Sequence, residues 1–260
     1  MTNTTDAAEP RATKSKRSRQ RSVKIFLRDV LLIVLAAILI SFLIKTFLIR
    51  SFYIPSGSME NTLQVDDRII VNELEPNLVP ISRGDVVVFT DPGGWLDTKP
   101  IDTRTPFQQG VDNVLSFIGL TANDLDDHLI KRVIGLPGDH VTCCNDFGQI
   151  EVNGVALDEP YIRVTAADGK AVPGDFDVTV PAGKLWVLGD NRDESADSFN
   201  HIDNPDGGFV PVSDVVGRAF VITWPVSRWS WLSDYPDTFA GIPSGTSSSP
   251  PPTKTSSGTG

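Results

Sequence analysis

A mainly β body behind one N-terminal membrane-spanning helix is the fold this sequence predicts. Residues 30–44, VLLIVLAAILISFLI, form a fifteen-residue run without a charge. Beyond it, short runs rich in β-branched residues alternate with Gly, Pro, Asn and Asp, the composition of strands and turns. Gly (21) and Pro (19) are plentiful among the 260 residues, which disfavours a helical bundle. A chain of this length holds one good-sized domain plus tails, with room for an inserted subdomain.

The apolar run comes first. A span needs about 20 residues, and extending the run to Ile49 admits only Lys45, whose stem can snorkel towards the headgroups. As a helix, residues 30–49 reach about 30 Å. Residues 1–24 carry seven Lys/Arg against Asp6 and Glu9, so the N-terminus is expected in the cytoplasm and the body outside. A cleaved secretory signal would have a shorter apolar region followed by small residues. Here LIRSFYIP follows, with Arg50, Phe52 and Tyr53. The expected layout is a disordered basic tail over 1–24, a single-pass cell-membrane anchor over 25–50 and an extracytoplasmic body over 51–235. Residues 51–260 hold 13 basic and 30 acidic side chains, a net of −17. Such a body repels nucleic acid, so the bilayer is an expected partner and nucleic acid is not.

Along the body, RIIVNEL (68–74) and DVVVFT (85–90) read as strands, separated by Pro76, Pro80 and Gly84. Residues 91–127 read as a long irregular insertion with a short helix near 111–118. HLIKRVIGLPGD returns to strand character and stops at Leu136-Pro137-Gly138. QIEV-NG-VAL (149–157) is a hairpin signal, because Asn-Gly suits a type I′ turn. FDVTV-PAG-KLWVLGD repeats the strand–turn–strand pattern, and VVGRAFVITWP (215–225) is the last clear strand. The Ser/Thr/Pro/Gly composition from Gly241 onwards reads as flexible, and the tail is drawn over 236–260. Trp224, Trp229 and Trp231, with Phe52 and Tyr53, suit the headgroup level, the alternative being scattered core or surface aromatics.

The only cysteines are neighbours, Cys143 and Cys144. Across a trans peptide their Cα atoms lie about 3.8 Å apart, below the usual disulfide range of about 4.4–6.8 Å. A vicinal bridge therefore requires a distorted peptide, and free or intermolecular thiols are the alternative.

The stretch IPSGSMENTL (54–63) places two hydroxyls on a shaped loop just past the anchor. Serine attacks only when something removes its proton. His128, His140 and His201 lie among acidic or turn residues, and the Gly-x-Ser-x-Gly elbow is absent. Metal chemistry has no support either: there is no His-x-x-x-His, and the acidic runs lack a calcium-loop pattern. No cofactor is expected. Lysine remains, provided that burial lowers its pKa from about 10.4. Most lysines lie in polar or turn sequence, but Lys131 falls within an apolar strand candidate and shares a face with Leu129 and Val133 by alternation. From pattern alone a strand-edge charge is the alternative. GDNRDESADS (189–198) is the densest polar cluster, either a side-chain-stabilised loop or the support of a catalytic group.

IPSGSM beside an anchor, then DRIIVNEL, KRVIGLPGD and GDNRDESADS in that order, closely resembles the bacterial type I signal peptidases of the single-anchor kind. The resemblance covers about residues 50–225. It implies antiparallel sheets forming a catalytic body, with a small inserted β subdomain about 140–185, and a Ser/Lys endopeptidase acting on signal-peptide-bearing preproteins. It implies Ser58 as nucleophile, Lys131 as general base, and the Ser58 N–H with the Ser56 hydroxyl as oxyanion donors. Ser195 would hydrogen-bond the lysine, with Asp190 and Asp197 in support. Ile54, Pro55, Met59 and Val133 are candidate lining for small pockets that accept Ala-like residues. Two positions depart from the family pattern. Asn61 stands where Pro is frequent, which predicts a less rigid loop, and Phe199 stands where Arg is frequent, which puts an ion pair for Asp197 in doubt. Two rival classes are an exported Ser-His hydrolase and a silent anchored β module that binds partners.

Overall fold

The computed structural model describes residues 13–96, 127–163 and 169–245, and within the N-terminal helix the side chains of 23–42. The helix expected near 111–118 and the side chain of Lys45 lie outside these residues. Two compact units are present, residues 1–47 and 48–260.

The first unit is helix α1, Thr13–Phe47. Its stretch Val23–Phe42 is long and apolar enough to cross a membrane, and these side chains are exposed. Helical backbone begins inside the segment expected as a tail, since 13–22 is free of Pro and Gly and rich in Lys, Arg and Gln. It stops before Ile49, which already opens a strand.

The second unit contains two antiparallel sheets. The larger is built from β1 (Ile49–Tyr53), β2 (Arg68–Asn72), β3 (Val86–Thr90), β4 (His128–Gly135), β9 (Lys184–Leu188), β10 (Val210–Pro211), β11 (Val215–Trp224) and β12 (Ser230–Trp231). Their order is β1-β2-β11-β3-β4-β9-β10, with β12 also on β11. The smaller is β7-β6-β5-β8, from β5 (His140–Cys143), β6 (Glu151–Val152), β7 (Val155–Ala156) and β8 (Phe176–Thr179). Asn153 and Gly154 join β6 to β7 with φ of 52° and 78°, the left-handed pair that a type I′ turn requires. The second repeat of strand, turn and strand is not a hairpin. β8 pairs with β5 while β9 pairs with β4 and β10, so the turn at 180–183 carries the chain from one sheet to the other.

Three apolar clusters hold this unit together. One, around Trp186, Ile134, Val152 and Tyr161, fills the space beside the small sheet. A second gathers Phe52, Ile54, Met59, Leu63, Ile69 and Ile130. The third joins Phe89, Trp95, Leu129, Val133 and Val187. β4 lies between β3 and β9 and is buried on both faces, which explains its nearly unbroken apolar run.

Two expectations need correction. Residues 236–245 are packed where described: Phe239 is buried in the first cluster, and the Pro243 carbonyl accepts from Arg83 and Asn153. A large apolar ring and a well-placed acceptor outweigh the turn-like composition of this stretch. Phe52 is fully buried and cannot serve an interfacial belt, whereas Trp224, Trp229 and Trp231 are exposed. Cys143 and Cys144 are joined as a vicinal disulfide across a cis peptide bond.

Candidate active site

The loop between β1 and β2 is closed at its base. Ile54 N–H donates to Asp67 O at 2.9 Å and Asp66 N–H returns to Ile54 O at 3.0 Å. Asp67 is itself gripped by Arg228, Nε to Oδ1 at 2.9 Å. Within the loop, Glu60 N–H donates to Gly57 O and Leu63 N–H to Met59 O, a single helical turn that begins next to Ser58. The buried side chains of Ile54, Met59 and Leu63 pin that turn to the second cluster.

A second loop, following β9, locks the first from the side. Asn191 N–H donates to Ser58 O at 3.1 Å, and Asn191 Nδ2 donates to Gly57 O at 3.0 Å. This approach needs Gly189, because a Cβ there would lie 2.5 Å from Ser58 O and 2.2 Å from Ser195 Oγ. The polar cluster after β9 is therefore a positioning loop for residues 57–58.

β4 delivers the amine. Lys131 is buried, and its Nζ lies 2.8 Å from Ser58 Oγ and 3.0 Å from Ile130 O. Ser58 is also nearly buried, and Ser56 Oγ lies 3.5 Å from Ser58 Oγ. Burial pushes the Lys131 ammonium down to about 8, against the opposing pull of Asp197 and Asp190. None of the histidines replaces this partner. His140 pairs with Asp177 at the surface, His201 Nδ1 donates to Asp197 O and its ring stacks on Trp95, and His128 lies beside Phe52. Among the described residues no group of His, Cys, Asp and Glu could hold a metal ion.

Asp190 and Asp197 both act electrostatically on Lys131 and are held by different partners. Asp190 forms a buried bidentate pair with Arg132, at 2.9 and 2.7 Å, and accepts from the Thr62 hydroxyl. Asp197 accepts from Gly189 N–H at 3.0 Å and Phe199 N–H at 3.2 Å. Burial raises its pKa, with Gly189 N–H, Ser195 and Lys131 opposing. Backbone donors thus occupy the place of an arginine partner for Asp197, and the Phe199 ring packs on Phe176 instead. Ser195 Oγ is buried close to the Asp197 carboxylate, but it makes no hydrogen bond of normal geometry, to Lys131 or to any other described group. The expected Ser195–Lys131 bond is thus not formed.

Of the pocket candidates, Ile54 and Met59 are fully buried in the second cluster and Val133 in the third. They present no accessible surface in this structure, whereas Pro55 is exposed. Asn61 does not loosen its loop. It adopts φ 96° and donates from Nδ2 to Tyr161 O and Ile162 O at 3.1 and 3.3 Å. Asn191, Thr62 and Arg132 carry much of the geometry without having been singled out. The signals were an Asn inside the dense polar cluster and an Arg inside an otherwise apolar strand.

Residues 27–224 match the family described as signal peptidase, peptidase S26. Signal peptidase I of Mycobacterium tuberculosis is 40% identical over 234 residues, covering 84% of this chain and 78% of that protein. A probable signal peptidase I of Mycobacterium leprae is 42% identical over 200 residues, 68% of each chain. A crystal structure of a signal peptidase I from Enterococcus faecalis aligns at 25% identity with a TM-score of 0.35, covering 53% of this chain and 95% of that one.

Proposed function

The chain belongs to the signal peptidase I family, peptidase S26, and we propose that it cleaves signal peptides from preproteins with Ser58 as nucleophile and Lys131 as general base. The observation that carries this assignment is the 2.8 Å approach of Lys131 Nζ to Ser58 Oγ with the amine buried. An uncharged amine accepts the hydroxyl proton as Ser58 Oγ attacks the scissile carbonyl. Negative charge then develops on the carbonyl oxygen, where the Ser58 N–H and the Ser56 hydroxyl would donate. A well-placed donor of this kind contributes about 3–4 kcal/mol. The Lys131 ammonium returns its proton to the departing amine of the mature protein. Water, activated by the same lysine, finally hydrolyses the acyl-enzyme and frees the signal peptide.

Asp190 and Asp197 support the amine by holding the strand and loop around it, and Ser195 borders the Asp197 side of the same pocket. Pro55, with Ile54, Met59 and Val133 behind, shapes a groove for small side chains next to the cut. Helix α1 anchors the enzyme in the cell membrane. Its basic flank favours a cytoplasmic N-terminus, which leaves the catalytic body outside, where signal peptides emerge.

Ser58→Ala and Lys131→Ala are each expected to lower presequence cleavage by at least about a thousandfold. In the parent enzyme kcat/KM should climb with pH through a midpoint near 8. Full cleavage by either variant, or a rate that is flat between pH 6 and 9, would refute the pairing of this nucleophile with this base.

A further inference from the structure

Lys131 has a neighbour whose every donor is engaged. A guanidinium carries five N–H groups, and Arg132 uses five bonds. Nε and Nη2 reach Asp190 at 2.9 and 2.7 Å, Nη2 also reaches Thr62 Oγ1 at 3.4 Å, and Nη1 reaches Gly84 O at 2.7 Å and Ser233 O at 3.0 Å. Two aromatic rings pack side by side against the cation: Tyr161 lies 4.1 Å and Tyr235 5.2 Å from Cζ, and the rings are 4.8 Å from each other. Ser233 and Tyr235 belong to a stretch that runs back across the body after the last strand, outside the residues matched by the family.

That stretch is fastened along its length. A Cβ on Gly84 would lie 1.9 Å from Asp234 O, so the backbones touch there. Thr238 Oγ1 donates to Asp158 O at 2.6 Å, Phe239 is buried, and Pro243 O accepts from Arg83 and Asn153. Fastening on both sides of Tyr235 keeps its ring over the guanidinium.

We propose that residues 233–243 form a positioning strap. Through the Ser233 carbonyl and the Tyr235 ring, the strap fixes Arg132, and Arg132 in turn fixes Asp190 beside the catalytic lysine. The charge logic gives the direction of the effect. Asp190 and Asp197 are the carboxylates that act on Lys131. Arg132 neutralises Asp190 at close range, and Arg192 acts on Asp197. Asp85 is a further acid within range of Arg132. If the Tyr235 wall is lost, the guanidinium gains room to swing away and Asp190 is left less compensated. Lys131 then holds its proton more tightly and is a base over a narrower range of pH. Tyr235 is a positioning residue, because it acts only through Arg132.

The inference rests on Lys131 being the base, and its test leaves Ser58 and Lys131 unaltered. In the full-length enzyme, Tyr235→Ala and Tyr235→Leu are each expected to cut kcat about tenfold at pH 7 with little change in KM. Both should move the midpoint of the kcat/KM profile upward by about one pH unit. Tyr235→Phe, which keeps the ring, should restore both. Val210→Ala, buried on the edge strand β10 and outside the strap, serves as a structural control: it should lower the melting temperature without moving the midpoint. A wild-type midpoint in Tyr235→Leu, or a Val210→Ala midpoint displaced as far as that of Tyr235→Ala, would overturn the strap. Neither result would touch the assignment of Ser58 and Lys131, which fails only if their own replacement leaves cleavage intact.

Discussion

A lysine side chain within a strand buried on both faces carries a stability cost, which its proposed role as general base accounts for. The Lys131 pKa is depressed to about 8 in the folded protein from an ordinary 10.5. Between these values the unfolded chain holds a proton that the folded chain does not, so stability rises with pH across that window. Below about pH 8 the whole penalty is present, on the order of 3 kcal/mol. Replacing Lys131 with Met should therefore stabilise the protein at pH 7 by about 2 kcal/mol, after allowance for the lost hydrogen bonds. It should also flatten the rise in stability above pH 8. Denaturant titrations at pH 7 and 9.5 check both, and a Met variant less stable than the parent at pH 7 would contradict the burial argument. Lys131 stood out in the sequence as a charge inside an apolar run, but that run alone favoured a strand-edge charge, and its proposed role came with the family resemblance. The loop past the apolar segment stood out for its two hydroxyls, and the resemblance singled out Ser58 between them. Asn191 was not, since its role depends on Gly57 and Ser58 carbonyls that strand pairing brings to it from a distant part of the chain. The predicted Ser195–Lys131 bond failed for a related reason: a sequence can bring a hydroxyl near an amine but does not set its rotamer.

The loop between β1 and β2 shows where element-level reading succeeds and where it stops. Strands β2, β3, β4 and β11 were visible as β-branched runs bounded by turn residues, and the β6–β7 hairpin was visible from Asn-Gly. Strands β10 and β12 have two residues each and carry no periodicity to read. β1 directly follows the anchor helix, so its residues merge with the apolar run. Asn61 makes the limit concrete. Its departure from Pro suggests a slacker loop, yet its positive φ and its two bonds to the carbonyls of 161 and 162 tie the turn next to Ser58 to the neighbouring segment. Proline, fixed near −65°, cannot take this conformation. Asn61→Pro should destabilise by more than about 1 kcal/mol and depress cleavage, because the turn bearing Ser58 must rearrange. Asn61→Gly accepts the backbone angle and loses only the side-chain bonds, about 1 kcal/mol. Thermal melts with parallel cleavage assays test the order, and a Pro variant as stable and active as the Gly variant would show that the loop does not depend on this angle.

At the scale of the whole molecule, the two units divide the labour between reaction and location. The second unit contains all three apolar clusters and both described sheets, so its site does not draw on the helix for a core. Only ten residues lie between Phe47 and Ser58, at most about 40 Å of extended chain. The proposed nucleophile, tethered this closely to a span, would meet a membrane-held presequence at high effective concentration. Recognition can then rest on a shallow groove. Exposed Trp224, Trp229 and Trp231 add side chains suited to the headgroup layer. Removing residues 1–47 should leave cleavage of a short, water-soluble peptide within about twofold. Cleavage of a preprotein held in phospholipid vesicles should fall by about a hundredfold or more. Replacing Trp229 and Trp231 by Ser in the shortened protein should then reduce its residual flotation with vesicles, again without affecting the soluble peptide. Equal rates on vesicle-bound preprotein with and without the helix would mean that the groove alone supplies recognition and that tethering contributes nothing to catalysis.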